Sequence, residues 1–165
     1  MEIPVMTLDP EQLRHAMRAW SSGVTVVTAA FAGEQHGMTV SSFTSVSLEP
    51  PLIIISLHTG SRTHKLISAA GAFAVSILSA EQVEISDRFA GRIADNEDRF
   101  EGLETETFVT GAPALKNALG RLDCRVTQVI PVGMNTVFLA EVVAARGEGE
   151  ALPLVYHNRK YWKLT

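Results

Sequence analysis

"HGMTVSSFTSVSLEPPLIIISL", residues 36–57, changes character halfway along. Its first half alternates like a strand, yet it is built from small hydroxyl residues, Thr39, Ser41, Ser42, Thr44, Ser45 and Ser47, where bulky residues are the rule. Its second half passes through Pro50-Pro51 into an unbroken apolar run. Alternation of hydroxyl residues with Val and Phe fits a half-exposed strand. It fits equally a backbone kept open to a flat ligand, with main-chain and hydroxyl groups available for hydrogen bonding. Either way, "MTVSSFTSVSL" is expected to be one strand lying beside "LIIISL".

Outward from this stretch, β-branched runs broken by turn residues continue in both directions. "AGEQHG" separates "VTVVTAAF" from the hydroxyl strand, and "PVG" separates "CRVTQVI" from "MNTVFLAEVVAA". Both read as hairpins, and consecutive hairpins imply antiparallel pairing. "FAVSIL", "LVYH" and "KYWKL" supply further strands, with Trp162 expected to close the barrel. Near the amino terminus, "LDPEQLRHAMRAWSSG" reads as a helix with Asp9 as cap, Pro10 in the first turn and Gln12 at the capping-box position. Its Leu13, Met17 and Trp20 stripe is expected to cover one end of the core. Two short helices, "SRTHKLISAAG" and "SAEQVEISDRFAG", interrupt the strands. The predicted fold is mainly β, a closed or nearly closed antiparallel barrel with a few peripheral helices on its rim.

A chain of 165 residues is expected to form one domain over residues 1–165. A net charge of −4 offers no basic footprint, so nucleic acid is not an expected partner. No apolar segment has membrane length and the amino terminus lacks a signal pattern, which makes the cytoplasm the expected compartment. Nine of the eighteen acidic residues fall within 81–106, read as a solvated face and loop. Cys124 stands alone, which excludes an intrachain disulfide and suggests a buried structural thiol. The five histidines include no pair at i, i+4, and there is neither zinc spacing nor a G-x-S-x-G elbow, so no metal site or catalytic triad is expected. G-x-G-x-x-G and phosphate-loop spacings are absent as well.

"SLHTGSRTHKL" is more informative. A strand ends at Leu57, and Ser61 or Thr63 opens a helix whose first turn carries unpaired N–H groups, with Arg62 and Lys65 adding positive charge. Such a terminus favours an anion through hydrogen bonds and the helix dipole. An ordinary N-cap flanked by solvated bases gives the same pattern.

Together with the order of "WSSGVTVVT", "GMTVSSFTSVSLEPPL", "SRTHKLISAAGAFAVSIL", "DRFAG", "DRFEGLE", "GAPALKNALGRLDCRV" and "PLVYHNRKYWKL", these features cover nearly the whole chain. The chain resembles the flavin reductase family, split β-barrel FMN-binding proteins that include the reductase components of two-component flavin-dependent monooxygenases. The resemblance implies that Met38, Thr39, Val40, Ser41 and Ser42 line the isoalloxazine ring, that Ser56 and Leu57 continue that wall, and that Ser61, Arg62 and Thr63 hold the phosphate. Phe89 would border the flavin or the nicotinamide, or serve only as an apolar anchor of its helix. Gly133, Asn135, His157 and Tyr161 are the candidates on the nicotinamide side. Many relatives read Gly-Asp-His where this chain reads Gly133-Met134-Asn135, and there the histidine is associated with the nicotinamide pocket.

The implied activity is hydride transfer from NADH or NADPH to FMN or FAD, with reduced flavin leaving for a partner monooxygenase and a homodimer as the working unit. Hydride passes between cofactors, so no catalytic acid or base is expected from the protein. One alternative keeps the flavin bound and reduces another acceptor, such as ferric iron, a corrin or a haem. Another is a flavin- or haem-binding module without turnover.

Overall fold

The computed structural model describes residues 7–94 and 97–165. Asp95, one of the acidic residues counted above, and the first six residues of the amino-terminal reading lie outside them. Among the described residues there are twelve strands and three helices: α1 (Pro10–Met17), β1 (Ser22–Gly23), β2 (Thr25–Phe31), β3 (Glu34–Val40), β4 (Thr44–Leu48), β5 (Pro51–His58), α2 (Arg62–Ala70), β6 (Ala72–Ile77), α3 (Val83–Phe89), β7 (Thr105–Glu106), β8 (Ala114–Leu115), β9 (Gly120–Val132), β10 (Asn135–Gly147), β11 (Leu154–His157) and β12 (Lys160–Lys163).

Seven strands form one antiparallel sheet in the order β3-β2-β6-β9-β10-β5-β4. Strands β1, β11 and β12 form a second sheet, and β7 pairs with β8. The mainly β, antiparallel expectation holds, with two corrections. The large sheet does not close through hydrogen bonds, because its edge strands β3 and β4 pair inward with β2 and β5. And "MTVSSFTSVSL" is not one strand: it breaks at 41–43, leaving Met38 to Val40 on β3 and Thr44 to Leu48 on β4. Ser42, inside this break, is tied to β5. Ser42 Oγ donates to the Ser56 carbonyl at 2.7 Å and accepts from the Ser56 amide at 3.2 Å.

Burial explains the composition of each strand. β5 alternates, burying Ile53, Ile55 and Leu57. In β2, Thr25 through Ala29 are all buried, because the two faces of that strand meet different cores. Val27 and Ala29 join Val40, Ile55, Leu57, Ile67, Phe73 and Phe138 inside the sheet. Val26 faces Val24, Leu78, Phe89, Phe100 and Leu154 outside it. Full burial of a side chain such as Phe138 or Phe89 contributes roughly 1.5–3 kcal/mol, so both faces of β2 carry stability. Cys124 is fully buried in the inner core, and burial pushes its thiol up to about 12, which fits an inert structural residue.

Buried ions on β9 tie the 105–116 segment to the sheet. Arg121, 1% exposed, pairs with Glu106 and Glu148 and donates to the Lys116 carbonyl at 2.6 Å. Asp123, fully buried, accepts the Val109 and Thr110 amides at 2.7 and 2.8 Å. Glu106 is therefore a buried ion's partner rather than part of a solvated face, whereas Glu84, Glu97, Asp98, Glu101 and Glu104 are exposed.

α1 departs from expectation. Asp9 caps it by accepting the Glu11 amide, but the helix buries no residue, and Leu13, Met17 and Trp20 are 54%, 54% and 69% exposed. A stripe read as covering the core instead faces outward. Trp162 is likewise half-exposed, its indole N–H donating to the His157 carbonyl, so it braces the β11–β12 hairpin and closes nothing. That hairpin turns through Asn158 and Arg159, both at positive φ, the geometry of a two-residue type I′ turn.

Candidate functional site

β3 supplies the floor of the site, and the sequence fixes which of its groups face outward. Val40 is buried in the inner core and Gly37 is covered, while Met38 and Thr39 are half-exposed. Gly37 is required by α3: a Cβ there would stand 2.9 Å from Phe89 Cε1 and 2.8 Å from Thr28 Cγ2. Phe89 sits over this glycine and meets Phe100 edge-on at 5.2 Å. A bond from Thr39 Oγ1 to the Ser86 carbonyl, 2.6 Å, fixes α3 against the strand, and Arg99 Nη1 donates to both the Gly37 and Phe89 carbonyls at 2.9 and 3.0 Å.

On the other side stands the start of α2. Ser61 is its cap, accepting the His64 amide at 3.2 Å, and the first-turn amides that follow are the donors a helix start leaves without intrahelical partners. Gly71, at φ 66, ends the helix by donating to the Ile67 carbonyl. Between α2, β3 and α3 lies a cleft of about 480 Å³ lined by His36, Met38, Thr39, Ser61, Arg62, Thr63, Phe89, Ala90 and Arg99. Its size falls within the range of about 300–1,000 Å³ typical of small-molecule sites.

Thr39 and Ala90 also line a smaller hollow of about 200 Å³, with Ser41, Ser86, Arg92 and Tyr161. Ser41 and Tyr156 in turn lead to an open basin of about 700 Å³ bordered by α1 and by Ser42, Asn158 and Arg159. A continuous trough thus runs along β3 from the α2 terminus to α1.

The electrostatics differ along it. At the α2 end, Arg62 and Arg99 share a hollow with Glu34, Glu97 and Asp98, and Glu34 meets Arg62 at 3.4 Å in an exposed and therefore weak pair. His36 Nδ1 lies 2.8 Å from Thr63 Oγ1, and burial together with Arg99 and Arg62 lowers its pKa to about 4. The ring is neutral at pH 7, held so first by burial and then by the two guanidinium groups. In the middle, the Tyr161 hydroxyl meets Ser86 Oγ at 2.7 Å and Asp87 Oδ1 at 2.8 Å; burial and then Asp87 hold its phenol above the ordinary value. Arg92 pairs with Asp87 at 2.6 Å.

Of the residues named from the sequence, Met38, Thr39, Ser61, Arg62, Thr63 and Phe89 meet in one cleft, and Ser41 and Tyr161 line the adjoining hollow. Val40 and Leu57 point into the core and offer only backbone. The Ser42 hydroxyl is committed to the Ser56 backbone. Phe89 is fully buried, so its role as an anchor of α3 dominates although it borders the cleft. Gly133 and Asn135 are exposed at the tip of the β9–β10 hairpin, Asn135 opposite His58, and neither lines the trough. His157 sits beyond the far end, 2.9 Å from Ser21 Oγ. The sequence pattern does not single out His36, Arg99 or Ser86. His36 falls in a stretch that reads as hairpin punctuation and Arg99 within a motif; only folding brings both to the cleft beside Thr63.

Among the described residues no cluster of His, Cys, Asp and Glu could hold a metal ion, and no helix is long and apolar enough to cross a membrane.

The flavin reductase like domain model matches residues 17–165 of this chain. The reductase component of the FADH(2)-dependent resorcinol hydroxylase of Rhizobium sp. (strain MTP-10005) is 36% identical over 153 residues, 92% of this chain and 85% of its own length. The NADH-dependent flavin reductase StyB of Pseudomonas fluorescens is 35% identical over 93% of this chain and 89% of its own. Among solved structures, the NADH:FAD oxidoreductase SgcE6 of Streptomyces globisporus C-1027, in complex with NAD and FAD fragments, superposes with a TM-score of 0.86 at 32% identity, covering 98% of both chains.

Proposed function

Because the chain belongs to the flavin reductase like domain family, we propose that it is an NAD(P)H-dependent flavin reductase, passing reduced FMN or FAD to a partner monooxygenase. The observation that carries this reading is the trough itself: a cationic, donor-rich helix start at one end, an accessible strand floor, and room beyond it for a second ligand.

The residues present fit a phosphate-bearing flavin on chemical grounds. Two guanidinium groups and the first-turn amides of α2 complement an anion, and Met38 with Thr39 offers a flat wall. Ser61, Arg62, Thr63 and Arg99 would hold the phosphate, while Met38, Thr39 and Ser41 would lie along the ring, with Val40 contributing backbone alone. Tyr161 is the nicotinamide-side residue of this reading, since it lines the adjoining hollow. When bound, flavin supplies the hydride-accepting chemistry. The chain has to align the two ligands, exclude water and let product go, which needs no acid–base pair. In the trough the Tyr161 hydroxyl is committed to Ser86 and Asp87 and His36 is neutral.

A homodimer and a cytoplasmic location belong to the same proposal. The test is steady-state NADH and NADPH oxidation with and without micromolar FMN or FAD. Oxidation that depends on added free flavin is expected. Activity only with ferric iron, a corrin or a haem as acceptor would replace this reading with a different reductase, and absence of any oxidation would leave a binding module.

A further inference from the structure

His36 lines the cleft and directly touches a residue of the α2 start, and no part of the hydride chemistry uses it. Its ring stands 2.8 Å from Oγ1 of Thr63, a buried residue of the first turn of α2 that borders the same cleft. The charged groups around it are Glu34 on its own strand, Arg62 from α2, and Glu97, Asp98 and Arg99 from the segment after α3, all of which border one continuous hollow with it.

Resting on the flavin-phosphate reading above, we propose that His36 is the positioning residue that makes this site select phosphorylated flavin over riboflavin, by taking up a proton from solvent as the phosphate docks beside Thr63.

The chemistry follows from the direction of one hydrogen bond. Neutral imidazole has one donor and one acceptor nitrogen, so its Nδ1 contact with the Thr63 hydroxyl can run either way. Imidazolium donates from both nitrogens. Nδ1–H must then donate to Thr63 Oγ1, which leaves the threonine proton free to donate to an anion at the helix start. Without that anion, burial, Arg99 and Arg62 hold the ring neutral. Burial, the largest of these, remains when ligand docks, but a phosphate dianion between the guanidinium groups offsets their repulsion and adds its own attraction for a charged ring, which raises the affinity of the ring for a proton. Riboflavin, which lacks the phosphate, leaves the balance where it was.

Isothermal titration of FMN and of riboflavin, each in buffers of differing ionisation enthalpy at pH 7, reads the proton count for the wild type and for His36→Gln. Protonation of the phosphate itself is common to both proteins and cancels in the comparison. Wild type should take up a measurable fraction of a proton more than the variant with FMN, and the same amount as the variant with riboflavin. The ratio of FMN to riboflavin affinity should fall about fivefold or more in His36→Gln. Ring-labelled histidine in the wild type gives a second measurement that needs no folded variant: one imidazole should shift from neutral to charged on adding FMN and not on adding riboflavin. Equal proton counts in both proteins, or an unchanged affinity ratio, would overturn the proposal while leaving the phosphate site standing. If wild type binds FMN no more tightly than riboflavin, or binds neither, the phosphate reading fails and this proposal with it.

Discussion

Thr63 is where local and long-range chemistry meet. The Ser61–Arg62–Thr63 helix start was legible in the sequence, because a cap and its first-turn donors are set by neighbours within four residues. What Thr63 does with its hydroxyl was not legible. Its partner lies 27 positions away on strand β3, and spacing says nothing of that. Burial also makes Thr63 a poor place to test the phosphate site with a charge, since a glutamate there would disturb the core first. His36 gives a cleaner handle even without ligand. Its pKa is lowered in the folded protein from the ordinary 6.5 to about 4, so between those pH values the unfolded chain binds more protons than the folded one. His36 therefore supports stability fully above about pH 6.5, and that support is lost as pH falls toward 4. Denaturant unfolding of wild type and His36→Gln across this window should show wild type losing about 1–2 kcal/mol more than the variant, allowing for screening of a partly exposed ring. Parallel curves would mean that the ring keeps its ordinary titration.

Helix α3 is held by contacts that no local pattern announces. Its sequence gave a helix of roughly the right place, longer at its start than the observed Val83–Phe89, because Gln82 precedes it with no side-chain cap and instead accepts the Ser79 amide. The hydroxyl run reads as one strand yet breaks into β3 and β4 for a related reason. Alternation continues through Ser41-Ser42-Phe43, and nothing in it shows that β3 and β4 pair with different neighbours. The residue that seats α3 is Gly37, expected from the sequence as part of a hairpin turn and found inside β3, where a glycine often marks close approach of another group. Gly37→Ala puts a methyl within 2.9 Å of both Thr28 and Phe89, so either the aromatic ring or the strand must move. The expected cost is about 1–3 kcal/mol, the range for overpacking. Phe89 and Ala90 wall the cleft, so flavin affinity should fall as well, and amide exchange in α3 should quicken relative to β9. A variant as stable as wild type, with unchanged exchange, would show that α3 sits loosely on β3.

Scale of the whole molecule explains the exposed apolar surface that neither residue nor element accounts for. Composition told of a well-filled core, and it is there, but it could not tell which aliphatics the fold would leave outside. α1 leaves Leu13, Met17 and Trp20 in solvent; the far half of the β9–β10 hairpin leaves Val129, Ile130, Val132 and Met134 at 55%, 43%, 53% and 72% exposure; and β4 leaves Val46 and Leu48 at 51% and 85%. Hairpin and β4 lie on opposite sides of β5, the exposed aliphatics of the hairpin beside residues 55–58 and those of β4 beside residues 51–53. Exposed apolar surface of this kind is costly for a monomer and natural for an isologous interface, which would also bring a second chain toward the trough. Light scattering at micromolar concentration is therefore expected to give about twice the 17.9 kDa chain mass. Ile130→Lys combined with Val132→Glu, both at exposed positions and so harmless to the core, should shift the protein toward one chain mass and weaken flavin binding together. A wild-type protein of one chain mass that binds flavin at full affinity would show that a single trough suffices, and the exposed aliphatics would need another occupant.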